Sequence, residues 1–416
     1  MNFFLIMALN YVWIAFFIIS FVVALIKTIF FGDTTVFTLV MNGMFDSAKT
    51  GAEISIGLIG IMSFWLGILK VGERAGMISK FAKAASPFFN KLFPGIPKGH
   101  PASGSVIMNF SANMLGLDNA ATPMGLKAMK ELQELNPDKD TASDAQIMFL
   151  VLNTAGLTII PTSVIALRMA NGAANPADIF IPSLIGTFIS FVSGMIAVAL
   201  YQKINLFKLP ILTFIGGFIA LMAGLYFWLG GMPPAQIQTY TSLLGGIVIF
   251  SIIALFIGYG ALKKINVYEA FIDGAKEGFT TSVMIIPFLI AILVAISAFR
   301  ATGCMDYLVN SIGVVVAACG LDTAFVPALP VGIMKSLSGS GARGLMVDVM
   351  TTYGPDSFQG RLASIIQGST ETTFYVLAVY FGSVNIKRPR YALACGLIAD
   401  LVGLIAAIFI GYIFFK

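Results

Sequence analysis

Charge is scarce in this 416-residue chain: Asp, Glu, Lys and Arg make up only 11%, under half the share of an ordinary soluble domain. Histidine is almost absent, and the single His100 excludes metal sites built from several imidazoles. The three cysteines, Cys304, Cys319 and Cys395, are scattered without a C-x-x-C pair, which excludes a disulfide framework and a zinc cluster. No G-x-S-x-G occurs and no histidine neighbours Ser338 or Ser340, so a hydrolase triad has no support and the chain reads as a non-enzyme. Apolar residues are abundant instead: 58% are hydrophobic, with 36 Phe, and the mean hydropathy is +0.91. Apolar runs of about 20 residues recur along most of the chain, the signature of a polytopic membrane protein. The net charge of +5 is then a topology signal, because Lys and Arg gather on the cytoplasmic side. Nucleic acid is not an expected partner; the lipid bilayer is.

The first run, about residues 3–26, has no basic n-region and no small-residue cleavage site, so it reads as a retained helix within a segment 1–35. Further candidate crossings lie at about 52–71, 145–170, 177–201, 209–230, 242–262, 281–299, 358–380 and 391–415. Residues 102–135 and 305–353 are broken by Gly, Pro and Ser and are expected to form re-entrant hairpins, which are tolerated only where protein covers them. Lys80, Lys83 and Lys91 interleave with Phe81, Phe88, Phe89 and Phe93, a spacing that suits an interfacial amphipathic helix.

The chain repeats itself. Asp46-Ser-Ala-Lys49-Thr-Gly51 returns 227 residues later as Asp273-Gly-Ala-Lys276-Glu-Gly278, and Gly76 returns as Gly303 at the same shift. Each half continues with a punctuated stretch, an interrupted crossing and a long apolar crossing, so the repeats are two structural halves. Placing the uncharged loop 230–240 outside puts most of the 25 basic residues inside and turns the two halves upside down relative to each other. The expected fold is therefore an all-α polytopic membrane protein with inverted-topology repeats, re-entrant hairpins and broken transmembrane helices. That plan points to a secondary transporter with its site at the repeat interface near the midplane.

The polar chemistry sits in the interruptions. Gly116-Leu-Asp118-Asn119-Ala-Ala-Thr122-Pro123 stops a helix and offers oxygens beside freed backbone groups; the plainer reading is a cytoplasmic turn with an Asx cap. Ser336-Leu-Ser338-Gly-Ser340-Gly341-Ala-Arg343 resembles an anion nest with an added guanidinium, or else a flexible hairpin tip. Gln367-Gly-Ser369-Thr370-Glu371-Thr372 interrupts an apolar run, and a carboxylate there costs about 2.5–3.5 kcal/mol on insertion scales, which marks a functional candidate; the plainer reading is that Glu371 caps the break or pairs with Arg343. Its counterpart in the first half is Asn153-Thr154, followed by Pro161. Asp118, Asn119, Thr122, Asn153, Thr154, Ser338, Ser340, Arg343, Gln367, Ser369, Thr370, Glu371 and Thr372 are the candidate solute-binding residues. Glu371 and Asp400, an acid in the last crossing, are the ion-coupling candidates; Asp400 also reads as a carboxylate snorkelling between helices.

Several strings are similar to known families. Leu92-Phe-Pro94, His100-Pro101, Gly116-Leu-Asp-Asn119-Ala-Ala-Thr-Pro123-Met-Gly-Leu-Lys127, Asn153-Thr154 and Ala166-Leu-Arg168-Met-Ala170 resemble the spore maturation protein A family. Leu337-Ser-Gly-Ser-Gly341, Thr352-Tyr-Gly-Pro-Asp-Ser-Phe358 and Gln367-Gly-Ser-Thr-Glu-Thr-Thr-Phe-Tyr375 resemble the spore maturation protein B family. The resemblances cover about residues 36–201 and 267–415, as in a fusion of two proteins. They divide the chain into the N-terminal helix 1–35, a first repeat 36–201, a linking helix pair 202–266 and a second repeat 267–416. Both families belong to the nucleoside-recognition, or Gate, group, similar in plan to concentrative nucleoside transporters. The resemblance implies membrane passage of a small polar, anionic or nucleoside-like solute through a bacterial cytoplasmic (inner) membrane, with sodium or protons as coupling ions and no organic cofactor or metal. The other function class it implies is a membrane protein of spore or envelope maturation that acts through partners. Homo-oligomerisation is left open.

Overall fold

The computed structural model describes residues 2–116, 118–229 and 234–416. Part of the expected outer loop 230–240 and the side chains of Asp118 and Asn119 lie outside the described residues. The described chain is all helical, and six of its helices are long and apolar enough to cross a bilayer. It is a multi-pass membrane protein.

One helix, α1 (Asn2–Phe31), precedes a set of seven: α2 (Val36–Arg74), α3 (Met77–Leu92), α4 (Pro101–Met114), α5 (Asp118–Glu134), α6 (Asp144–Ala155), α7 (Thr162–Ala170) and α8 (Phe180–Gln202). The pair α9 (Leu209–Leu229) and α10 (Pro234–Leu262) follows. A second set of seven repeats the order: α11 (Val267–Ala301), α12 (Cys304–Ala318), α13 (Leu329–Leu337), α14 (Gly339–Tyr353), α15 (Phe358–Ser369), α16 (Thr373–Ser383) and α17 (Ala392–Phe415). In both sets a long helix ends at a left-handed glycine, Gly76 (φ 83°) or Gly303 (φ 82°). A short helix, a hairpin, a broken crossing and a full crossing then follow.

Local chemistry sets the boundaries. His100 caps α4, its Nδ1 accepting from the Ala102 N–H at 3.2 Å, with Pro101 pre-set for the first turn. Ser143 and Gln146 form a capping box at α6. Ser357 caps α15 through the Gly360 N–H at 2.9 Å. One expectation needs correction. Residues 305–353 are not a single hairpin: α12 stands apart, and only α13 and α14 form the re-entrant pair. Gly320, at φ 75°, ends the earlier helix, while Tyr307, Val314 and Val315 remain exposed as a lipid-facing surface.

The long helices α2 and α11 cross at the pseudo-symmetry axis, and here the repeated glycines act. A Cβ at Gly51 would stand 3.1 Å from Ile290; one at Gly278 would stand 2.5 Å from the Met62 carbonyl oxygen and 2.6 Å from Ser63 Cα. Residues 51 and 63 map to 278 and 290 at the 227-residue shift, so each contact is the two-fold mate of the other. Small residues let the backbones approach closely where dispersion, not water exclusion, drives packing.

The loops obey the same symmetry. On one face the α5–α6 loop joins the α16–α17 loop through Asp140–Lys387 (3.2 Å) and Asp144–Arg390 (2.8 Å). On the opposite face the α14–α15 loop joins the α7–α8 loop. There the fully buried Arg168 meets Asp178 at 2.9 Å and Asp356 at 3.2 Å, and Arg361 meets Asp178 at 2.7 Å. The first face also carries Lys203, Lys208, Lys263 and Lys264, so the charge rule makes it cytoplasmic.

Candidate solute-binding site

Four helix interruptions meet at one depth. The first broken crossing pauses at Gly156 (φ 58°), which closes α6, and resumes at α7. The second pauses at Thr370, Glu371 and Thr372 between α15 and α16. The two pauses touch: the Glu371 N–H donates to the Thr154 carbonyl at 2.8 Å. A Cβ at Gly156 would stand 2.8 Å from Glu371 Cγ, so only glycine fits there, by conformation and by space. Each hairpin tip leans on the pause of its own repeat. Ile159 N–H donates to the Met114 carbonyl at 2.8 Å, and Gly116 (φ 74°) lies against Ile160. A Cβ at Gly339 would stand 2.8 Å from the Thr372 hydroxyl.

Around this meeting point lies a cavity of about 1490 Å³. Thr122, Asn153, Ser338, Ser340, Arg343, Glu371 and Thr372 line it. Thr154, Gln367, Ser369 and Thr370 are buried at 0–7% exposure and stand behind the wall, where they pack the helix crossings. Ser369 lies against Gly186, and Thr370 against Gly403. Asp400 is also buried, and accepts the Thr373 hydroxyl on Oδ2 at 2.6 Å.

The lining is chemically sorted. Ser338 caps α14, its Oγ accepting from the Gly341 N–H at 3.0 Å and lying 3.2 Å from the Ser340 hydroxyl. The N-terminus of α14, where Gly339, Ser340 and Arg343 line the cavity, therefore offers backbone N–H groups, a helix dipole and a guanidinium to an anion. The Arg343 Nε is buried and has no hydrogen-bond partner among the described residues. Lys335 adds a second cation to the lining at 5% exposure. Opposite in sign, Glu371 stands exposed within the cavity. No Glu371–Arg343 ion pair is present among the described residues. Asn153 is held in place: its Oδ1 accepts from Asn113 Nδ2 at 2.8 Å, and its own Nδ2 donates to the Phe149 carbonyl at 2.8 Å.

Lys335 and Asn113 escaped the sequence reading. An intramembrane lysine is itself a signal, but it sits just before the Ser/Gly string that drew attention. Asn113 lies one turn before the hairpin tip, on a helix that also carries Asn109 and Ser111, so nothing in the string singles it out from a satisfied core amide. The rim was missed as well. Lys70, Glu73 and Glu277 line the cavity and are joined by ion pairs of 3.1 Å (Lys70–Glu73) and 3.0 Å (Lys70–Glu277). The wall also takes in α5 and α16, which run from the midplane toward the lysine-rich face. The cavity thus opens on the face that charge assigns to the cytoplasm.

The Gate family profile, described as nucleoside recognition, matches residues 55–171 and 282–387. These segments run from within each long helix through each broken crossing. Spore maturation protein A of Bacillus subtilis (strain 168) is 45% identical over 157 residues, covering 38% of this chain and 80% of that protein. Spore maturation protein B of the same organism is 46% identical over 159 residues, covering 38% of this chain and 88% of that protein.

Proposed function

The chain belongs to the Gate family, and from that premise we propose that it is an ion-coupled secondary transporter of a small polar or anionic solute in a bacterial inner membrane. The observation that carries this reading is the meeting of four helix interruptions around a cavity lined by Lys335, Arg343, Glu371 and the N-terminus of α14. In inverted-repeat transporters, discontinuous helices present their positive ends to anionic substrate groups at the repeat interface. The solute's anionic group rests on the α14 N-terminus with Arg343 and Lys335. Glu371, Thr372, Asn153 and Thr122 then hold a polar or cationic part. A cavity of about 1490 Å³ accommodates a solute of nucleoside size, and the family's description favours a nucleoside-like one. The conformation is inward-facing, and rocking one repeat against the other carries the site to the opposite face. We assign no catalytic step, organic cofactor or resident metal to the cavity.

Uptake into proteoliposomes, screened with pools of nucleosides and organic anions under imposed sodium and proton gradients, tests the reading. A reproducible gradient-dependent signal supports it. The names of the two relatives favour a second reading, a membrane protein of spore or envelope maturation that acts through partners. Co-purification of a stoichiometric partner with no uptake of any pool supports that reading instead.

A further inference from the structure

Asp400 lies two turns into α17, 8% exposed. Its Oδ2 accepts the Thr373 hydroxyl at 2.6 Å, whereas Oδ1 is buried and has no partner among the described residues. Buried carboxylate oxygens are normally satisfied, and each exception calls for an explanation. The surroundings are rich in oxygen. Thr154, fully buried, has a hydroxyl that likewise lacks a partner; it packs with Thr373 against Gly396, one turn before Asp400. Ser336 is a further hydroxyl facing Asp400. α15 ends with Thr370 in extended conformation (φ −144°, ψ 169°), so its last carbonyls are not closed by a following helical turn. Thr370 lies against Gly403, on the turn of α17 after Asp400.

The charged groups facing Asp400 are Lys335 and Glu371. One ammonium stands against two carboxylates, which leaves room for one further positive charge. We propose that Asp400 Oδ1, the Thr373, Ser336 and Thr154 hydroxyls and the carbonyl end of α15 form a binding site for a dehydrated sodium ion. Hydroxyl and carbonyl oxygens ligate sodium and also accept from a protonated carboxyl, so the response to sodium against the response to pH separates the two occupants. Half-helix C-termini and unwound carbonyls are the groups that hold sodium in broken-helix transporters. The site adjoins the solute cavity through Lys335 and Glu371. A solute anion drawing on Lys335 raises the demand of Asp400 for a cation, so anion and sodium favour each other's binding. That coupling role rests on the transporter reading; the ion site itself does not.

The full chain in detergent tests the site without any transport assay. Thermal unfolding is compared in sodium, potassium and choline chloride at equal ionic strength, together with saturation binding of radioactive sodium. The expected result is a higher Tm in sodium alone, because an ion that binds only the folded state stabilises it by mass action. Saturable sodium binding should be lost in Asp400→Asn, weakened at least tenfold in Thr373→Val and restored in Thr373→Ser. If Asp400→Asn does not fold, the Thr373 pair decides. Coincident unfolding in all three salts, undiminished sodium binding in Asp400→Asn, or a Tm that follows pH but not sodium would each overturn the proposal. A failed uptake screen leaves these binding readouts untouched, so the two readings fail separately.

Discussion

Replacing Gly278 with Ala sets two effects of known size against each other. Alanine is favoured over glycine in a helix interior by up to about 1 kcal/mol. The new methyl, however, would stand 2.5 Å from the Met62 carbonyl oxygen and 2.6 Å from Ser63 Cα, against an ordinary separation of about 3.5–4.0 Å. Both obstacles are backbone, so no rotamer change relieves them, and α2 and α11 must part by about 1 Å. Overpacking of this kind costs about 1–3 kcal/mol. The net expectation is a loss of about 1–2 kcal/mol, the upper part of the difference between those two figures. Gly258→Ala is the control: no atom lies within 4 Å of its added Cβ, so only the propensity gain remains. Unfolding followed by intrinsic fluorescence in detergent reads both variants. If Gly278→Ala were as stable as Gly258→Ala, the close crossing of the two long helices, and the two-fold axis it marks, would be refuted.

Arg168→Met should destabilise the protein by about 3–5 kcal/mol, because it strips one of two guanidiniums from the buried Asp178; a loss below 1 kcal/mol in thermal unfolding would contradict a structural role for this network. The Thr35 hydroxyl and backbone N–H, donating to Asp33, hold that carboxyl below its ordinary value of 3.8. Its contribution is therefore present above that pH and lost as pH falls through the lower folded value, and a titration of stability should flatten at its acid end in Asp33→Asn. A single cysteine at Lys139 should label with an impermeant thiol reagent from the cytoplasmic side and one at Ala174 from the other; labelling of both from one side would break the inverted arrangement.

The repeat was legible because Asp46–Gly51 and Asp273–Gly278 serve one purpose, a close helix crossing that admits only small residues. Gly76 and Gly303 were legible for a related reason, since each ends a long helix in the left-handed region. The broken crossings announced themselves through polar strings within apolar runs. The division of roles inside those strings was not legible. Glu371 and Thr372 face the cavity while Ser369 and Thr370 face α8 and α17, a division set by where the helix stops and not by residue type. The separation of α12 from its hairpin was hidden too. Glycine and polar residues mark both a hairpin tip and a helix that merely ends, and only packing distinguishes them. Lys335 and Asn113 were masked by position: each lies on a half-helix whose packing partners come from a distant part of the chain.

The central claim is that the cavity where the four interruptions meet binds and moves a solute. Glu371→Gln tests it most directly, because the amide keeps volume and hydrogen-bonding capacity and removes only the charge. Thermal stability in detergent and proteoliposome uptake of the solute found by the pool screen are measured together for the original protein and this variant. The account predicts an unchanged Tm, since Glu371 is exposed to the cavity and joins no ion pair among the described residues, together with loss of uptake. Uptake retained at the original level, or a Tm that falls along with uptake, would contradict it.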